Sequence, residues 1–176
     1  MKLMITGALG YIGTELLSQL YSTNIEIVAV DNNIDAIDTR LGSFLYRPNF
    51  SFYNVDIADN EALSKLPKVD LIIHLAYVVG YIKCNDTPDL AYKTNVVGTQ
   101  NLVNLNTPIV FLSSGSVYGE IGKVCNEKTQ INPKSLYAEH KALGEKLVST
   151  IPNVILRPAT LFGCSYKIRD DLLVHN

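Results

Sequence analysis

Tyr137 and Lys141 stand one helical turn apart in the run Leu136-Tyr137-Ala138-Glu139-His140-Lys141, a spacing that puts both side chains on one helix face. A free phenol titrates near ~10 and is a poor base at neutral pH. An ammonium alongside favours the phenolate, so the pair has the make-up of a general base and the cation that tunes it. Upstream, Phe111-Leu112-Ser113-Ser114-Gly115-Ser116-Val117-Tyr118-Gly119 ends an apolar run in hydroxyls that could hydrogen-bond a reacting oxygen. Nearer the start, Thr6-Gly7-Ala8-Leu9-Gly10-Tyr11-Ile12-Gly13 is a glycine turn. Glycines there let a pyrophosphate approach main-chain N–H groups at a helix N-terminus. The spacing is G-x-x-G-x-x-G, not the standard G-x-G-x-x-G. Asp31 ends the next apolar run, 18 residues after Gly13. A carboxylate in that place accepts hydrogen bonds from adenosine ribose hydroxyls and repels a 2′-phosphate. Asn32 and Asn33 bring no positive charge and the nearest arginine is Arg40, so NAD is expected over NADP. Each feature alone has an ordinary counterpart: a surface i,i+4 pair, a Ser/Gly loop, a tight turn, a loop-starting aspartate. Their order along the chain is what carries the reading.

Elements that could position these residues follow from the hydrophobic pattern. Short apolar runs alternate with segments of helical period, the arrangement of βαβ units around a parallel sheet. Strands are predicted at Lys2–Thr6, Glu26–Asp31, Ser51–Val55, Leu71–His74, Ile109–Ser113 and Val154–Leu156, most of them continuous enough in Val, Ile, Leu and Phe to be buried on both faces. Helices are predicted at Tyr11–Ser22, Asp35–Tyr46, Asn60–Lys65, Pro88–Leu105 and Lys134–Thr150. Pro48, Pro67, Pro108, Pro133 and Pro152 fall at element boundaries, where proline costs little. The expected fold class is α/β, a doubly wound parallel sheet of the Rossmann type. Ligands bind such sheets at the carboxyl ends of the strands, which puts the Ser113–Gly119 hydroxyls in the cofactor crevice.

Bulk properties exclude several other classes. The 176 residues fit one domain; 47% are hydrophobic and 18% charged, as in a globular, soluble chain. A net charge of −2 without a basic run gives no reason to expect nucleic acid or anionic lipid as a partner. The apolar start is too short for a signal peptide, and no stretch approaches a membrane helix. Cys84, Cys125 and Cys164 are dispersed, as reduced thiols of a cytoplasmic protein would be, without disulfide or zinc spacing. His74, His140 and His175 have no ligand-like spacing, so no metal is expected.

In combination, Thr6-Gly7-x-x-Gly10-x-x-Gly13, Val55-Asp56-Ile57, His74-Leu75-Ala76, Asn95-Val96-x-Gly98-Thr99, Ser113–Gly119, Tyr137-x-x-x-Lys141 and Arg157-Pro158 resemble the extended short-chain dehydrogenase/reductase family, in particular its NAD-dependent epimerase/dehydratase group acting on nucleotide sugars. The resemblance implies Ser114, Tyr137 and Lys141 as catalytic residues. It implies cofactor contacts at Gly7, Gly10, Tyr11, Ile12, Gly13, Asp31, Asn32, Asp56, Ile57, Leu75, Ala76, Asn95, Ser113, Tyr137, Lys141 and Pro158. Asp56 and Ile57 would hold the adenine, Leu75 and Ala76 pass under the ribose and phosphates, Lys141 take the nicotinamide ribose, and Pro158 start the stretch against the nicotinamide. Asn95 would either touch the ligand or tie helix to strand. The implied chemistry is NAD-dependent oxidation and reduction at a sugar carbon of a nucleotide sugar, with Tyr137 as base and Ser114 on the same oxygen. Family dehydratases carry an acidic pair after the catalytic hydroxyl; Gly115 and Ser116 here speak against dehydration and for epimerisation through a keto-sugar intermediate, or for simple oxidation and reduction. Cys84 could face the site, although a buried structural thiol is the better expectation.

Two departures qualify the resemblance. Thr160 stands where many relatives carry asparagine. The chain ends at Asp170–Asn176, where the substrate-binding region of the family would be starting. The expected layout is therefore an NAD-binding domain over 1–163 and the start of a largely absent substrate domain over 164–176. A non-catalytic NAD-binding module, one piece of a split enzyme, and a plain sugar or steroid reductase stay open as alternatives. A homodimer through a four-helix interface, supplied by Pro88–Leu105 and Lys134–Thr150, is a further expectation.

Overall fold

A computed structural model describes residues 1–32, 42–122 and 124–165. Among them, six parallel strands form one sheet: β1 (Lys2–Thr6), β2 (Glu26–Asp31), β3 (Phe50–Asn54), β4 (Leu71–His74), β5 (Ile109–Leu112) and β6 (Asn153–Leu156), in the order β3-β2-β1-β4-β5-β6. The order reverses between β1 and β4, and that reversal opens a crevice at the carboxyl ends of those two strands. Every strand pair is parallel, so each connection must cross over the sheet. The described helices are α1 (Tyr11–Leu20), α2 (Asn60–Ser64), α3 (Tyr81–Asp86), α4 (Pro88–Tyr92), α5 (Gly98–Asn104) and α6 (Leu136–Val148).

The central strands bury nearly every side chain. Leu3, Ile5, Ile27 and Ala29 pack with Leu9, Leu17, Phe44 and Phe50 in one core. Met4, Val28, Val30, Ile72, Ile109 and Phe111 pack with Leu63, Leu102 and Val148 in another. Because successive strand residues point to opposite faces, this division is that of a sheet covered on both sides.

Several sequence expectations are adjusted. The long helix predicted over Pro88–Leu105 is interrupted at Lys93–Val97 by a π-helical turn, which carries the buried Asn95. A helix over Tyr81–Asp86, unpredicted, follows Gly80 at φ 97°. The helix predicted over Asp35–Tyr46 falls largely outside the described residues, and 42–46 are turns. Of its described residues, Phe44 reaches the core, packing on Tyr21 and Phe50. β6 is not buried on both faces: Val154 and Leu156, which share one face, remain 53% and 47% exposed, while Ile155 on the other face packs on the core. No helix among the described residues is long and apolar enough to cross a membrane.

Candidate active site

The glycine turn leaves β1 at the reversal point. Gly7 adopts φ 70°, and its N–H bonds the Val30 carbonyl of β2 at 2.9 Å. A Cβ on Gly7 would lie 2.6 Å from the Ala76 nitrogen, so the turn meets the Leu75-Ala76 loop backbone to backbone. Gly13 is packed as closely: its Cβ would stand 2.3 Å from the Gly7 carbonyl oxygen. Gly10 caps α1 without a side-chain bond, and the first turn, beginning with Tyr11 and Ile12, contains no acidic residue. The positive end of the helix dipole is therefore left uncompensated by α1 itself. Asp31, at the end of β2, accepts the Leu9 N–H at 2.9 Å, fixing its carboxylate beside the turn, and exposed Asn32 follows it.

One strand further out, Asp56 Oδ1 accepts the Ala58 N–H at 2.9 Å and shapes the bend after β3. Ile57 is buried, and its carbonyl accepts Asn101 Nδ2 at 3.1 Å. A hydrogen-bond relay ties β1, β4 and α5 beneath the crevice. Thr99 donates to the Asn95 carbonyl at 2.6 Å, which uses its only proton, so His74 Nε2–H must donate to Thr99 Oγ1 at 2.9 Å. His74 Nδ1 then accepts the Thr6 hydroxyl at 2.9 Å, and Thr6 in turn accepts the Ala76 N–H at 3.3 Å. Burial, and then the Lys141 charge, push His74 down to about 3, so its ring is neutral. Asn95 spends its amide on Val78, accepting the N–H at 2.7 Å and donating to the carbonyl at 3.0 Å. That clamp ties the turn before α5 to the loop after β4. Cys84 is wholly buried and donates to the same carbonyl at 3.2 Å; burial raises its thiol.

α6 begins with Ser135 capping the Ala138 N–H at 3.2 Å and carries Tyr137, Lys141 and Glu145 on successive turns of one face. Lys141 is buried; its Nζ donates to the Leu112 carbonyl at 2.5 Å and lies 5.9 Å from the Tyr137 ring centre. Burial pushes it down to about 7. Ser113 is buried and donates to Glu145 Oε1 at 2.5 Å. Ser114 caps the short 3-10 turn Gly115–Tyr118, accepting the Ser116 N–H at 3.1 Å and donating to Ser116 Oγ at 3.0 Å. The Pro158 carbonyl accepts the Gly115 N–H at 2.8 Å, which joins the loops after β5 and β6. Glu145 pairs with Arg157, which also donates to the Tyr118 hydroxyl at 3.0 Å. That hydrogen-bonded carboxylate holds the guanidinium above its ordinary range.

Sequence reasoning missed three participants. Glu145 was signalled by its place one turn past Lys141, and Arg157 was noted only as part of a motif. Tyr77 has no place in the sequence reading; its ring stands edge-on to Tyr137, centres 6.4 Å apart. Among the described residues no group of three or more His, Cys, Asp or Glu side chains could hold a metal.

A glycine turn at a sheet reversal, an acidic β2 end and a Tyr/Lys pair beside a serine-rich β5 end stand together on a Rossmann-type sheet. The family model for the NAD dependent epimerase/dehydratase family matches residues 3–172, and the chain belongs to that family. A UDP-glucose 4-epimerase of Arabidopsis thaliana is 32% identical over 160 residues, covering 83% of this chain and 46% of that protein. The crystal structure of UDP-glucuronic acid 4-epimerase from Bacillus cereus, in complex with UDP-glucuronic acid and NAD, superposes with a TM-score of 0.77 at 27% identity, covering 89% of this chain and 56% of the other. The UDP-Glc/GlcNAc 4-epimerase of Campylobacter jejuni superposes with a TM-score of 0.81, also at 27% identity, with 89% and 52% covered. The chain spans about half the length of the curated relatives it matches.

Proposed function

We propose that this chain binds NAD and carries the catalytic half of a nucleotide-sugar epimerase. The observation that carries this is a chain of contacts: the Gly7 turn packs on Ala76, and the next residue, Tyr77, packs on Tyr137 and on Lys141, whose Nζ bonds the Leu112 carbonyl at the end of β5. The donor set fits the cofactor: the N-terminal end of α1, whose first turn has no acidic residue, for a pyrophosphate, the Asp31 carboxylate for ribose hydroxyls, and a buried ammonium with donors to spare beyond Leu112. Asp56 and Ile57 would flank the adenine, Leu75 and Ala76 the ribose and phosphates, and Pro158 the nicotinamide. When bound, NAD supplies a hydride acceptor and donor for a sugar carbon. Tyr137 takes the proton from the hydroxyl on that carbon, Ser114 hydrogen-bonds the same oxygen, and Lys141 favours the phenolate while holding the cofactor ribose. Residues 1–163 would form the NAD-binding domain and 164–176 the start of the substrate-binding region. Leu90, Tyr92 and Val97 on one helical run and Leu143 on α6 are exposed. A second copy of the chain is proposed to cover them, two helices from each subunit making an isologous contact.

Calorimetric titration with NAD+ tests the binding, and the absorbance of NADH on adding UDP-glucose or UDP-glucuronate tests the chemistry. Binding that is lost in Lys141→Met, with absorbance change lost in Tyr137→Phe, is the expected result. Absence of NAD+ binding in the intact chain would overturn the proposal. Binding without any sugar-dependent change would favour a non-catalytic module, and activity restored by a separate C-terminal chain would favour a split enzyme. A monomeric mass by light scattering would remove the dimer.

A further inference from the structure

We propose that Tyr77 is a positioning residue for Lys141, its ring face serving as the seat on which the buried ammonium is held at the end of β5. The proposal rests on reading Lys141 as a working cation of the site. Lys141 Nζ lies 3.4 Å from the centre of the Tyr77 ring, against 4.8 Å for Phe111 and 5.9 Å for Tyr137. Its hydrogen bond runs to the Leu112 carbonyl, and among the described residues no carboxylate is within ion-pair distance of it. A charge taken out of water with one carbonyl for company gains most from an aromatic quadrupole placed against it.

The ring is fixed for this purpose. Its hydroxyl donates to the His140 carbonyl at 2.8 Å, on α6 immediately before Lys141. Phe111 and His74 flank it, with ring centres 6.0 Å away in both cases. Room for it is made at Gly144, where a Cβ would come within 2.7 Å of Phe111 and 3.2 Å of the Tyr77 hydroxyl. Tyr77 thus links the loop bearing Leu75 and Ala76 to the helix bearing Tyr137 and Lys141. The other titratable groups around the ammonium are Tyr137 and Glu145 on α6, Cys84 on α3 and His74 on β4. Glu145 is engaged by Arg157 and Ser113, Cys84 by the Val78 carbonyl, and His74 by two threonines. Glu145, Cys84 and His74 are thus bonded elsewhere, and none of the described ion pairs involves Lys141.

The test follows the protonation of Lys141 directly in the cofactor-free chain, by 13C NMR of lysine labelled at Cε, its signal assigned by loss in Lys141→Met. Position 77 is varied through Tyr77→Phe, Tyr77→Leu and a phenylalanine series carrying one, two and three fluorines, which weakens the negative ring face with little change of shape. The midpoint is expected to stay near the parent value in Tyr77→Phe and to fall stepwise with fluorination. In Tyr77→Leu the fall should be about one pH unit, a tenfold loss of proton affinity. A midpoint that is unmoved, or that rises, across the fluorinated series overturns the proposal, and that series decides even if Tyr77→Leu does not fold. NAD+ affinity of Lys141→Met is a separate readout: parent-like binding there would sink the cofactor role of Lys141 while leaving the seat itself to the titration.

Discussion

The guanidinium of Arg157 meets both carboxylate oxygens of Glu145, Nε at 2.8 Å from Oε1 and Nη2 at 2.6 Å from Oε2. Oε1 also receives the Ser113 hydroxyl, so one carboxylate joins α6 to the ends of β5 and β6. The Glu145 side chain is only 7% exposed, and Arg157→Met would leave a buried charge with a single hydroxyl partner. Unfolding in urea should show a loss of about 3 kcal/mol for Arg157→Met. Adding Glu145→Gln should recover part of it, because the carboxamide carries no charge. A single variant as stable as the parent would show that the pair is idle.

The buried amine of Lys141 makes stability depend on pH in a particular direction. Unfolded, a lysine keeps its proton to about 10.5; folded, Lys141 releases it near about 7. Between these values the unfolded chain binds more protons, so stability rises with pH. The gain from pH 7 to 8.5 should be about 1.5 kcal/mol in the parent and absent in Lys141→Met. Parallel pH profiles for the two proteins would refute it.

His74 responds on the acid side. Its folded value near about 3 lies below the unfolded one near 6.5, so its contribution is complete above the unfolded value and declines as pH falls toward the folded one. The relay also fixes the tautomer, with the proton on Nε2 toward Thr99. Nitrogen-15 NMR should show that tautomer unchanged from pH 8 to 5. A His74 midpoint above 5 would contradict both the burial and the relay.

Gly13→Ala probes the turn. Its Cβ would sit 2.3 Å from the Gly7 oxygen and 2.7 Å from the Ala8 oxygen, both backbone atoms that cannot swing aside. The turn must open, and NAD+ affinity should fall at least about tenfold. Calorimetric titration checks this, with Gly122→Ala as a control, since nothing lies within 4 Å of a Cβ there.

The sheet was legible because its central strands are apolar along their whole length. Leu3–Thr6 and Ile27–Val30 are buried at every position, and such runs admit few alternatives. β6 reads the same way in sequence yet lies exposed, because apolar character does not reveal whether a neighbour is present to cover a strand. The π turn at Lys93–Val97 was equally hidden. It carries Asn95, whose amide bonds Val78, a contact 17 residues away that no local pattern signals.

By itself the sequence determined the parallel α/β sheet, the glycine turn with Asp31 at the expected distance, and the Tyr137/Lys141 pair on one helix face. All of these are written in local period and short-range spacing, which the backbone enforces wherever such residues occur. Only the tertiary structure decided that Lys141 rests on Tyr77, that Glu145 joins Ser113 to Arg157, and that His74 is a neutral link between Thr6 and Thr99. Those partners are 12 to 68 residues apart in the chain, and they meet because sheet order and helix packing bring distant strand ends together while burial removes water as a competitor.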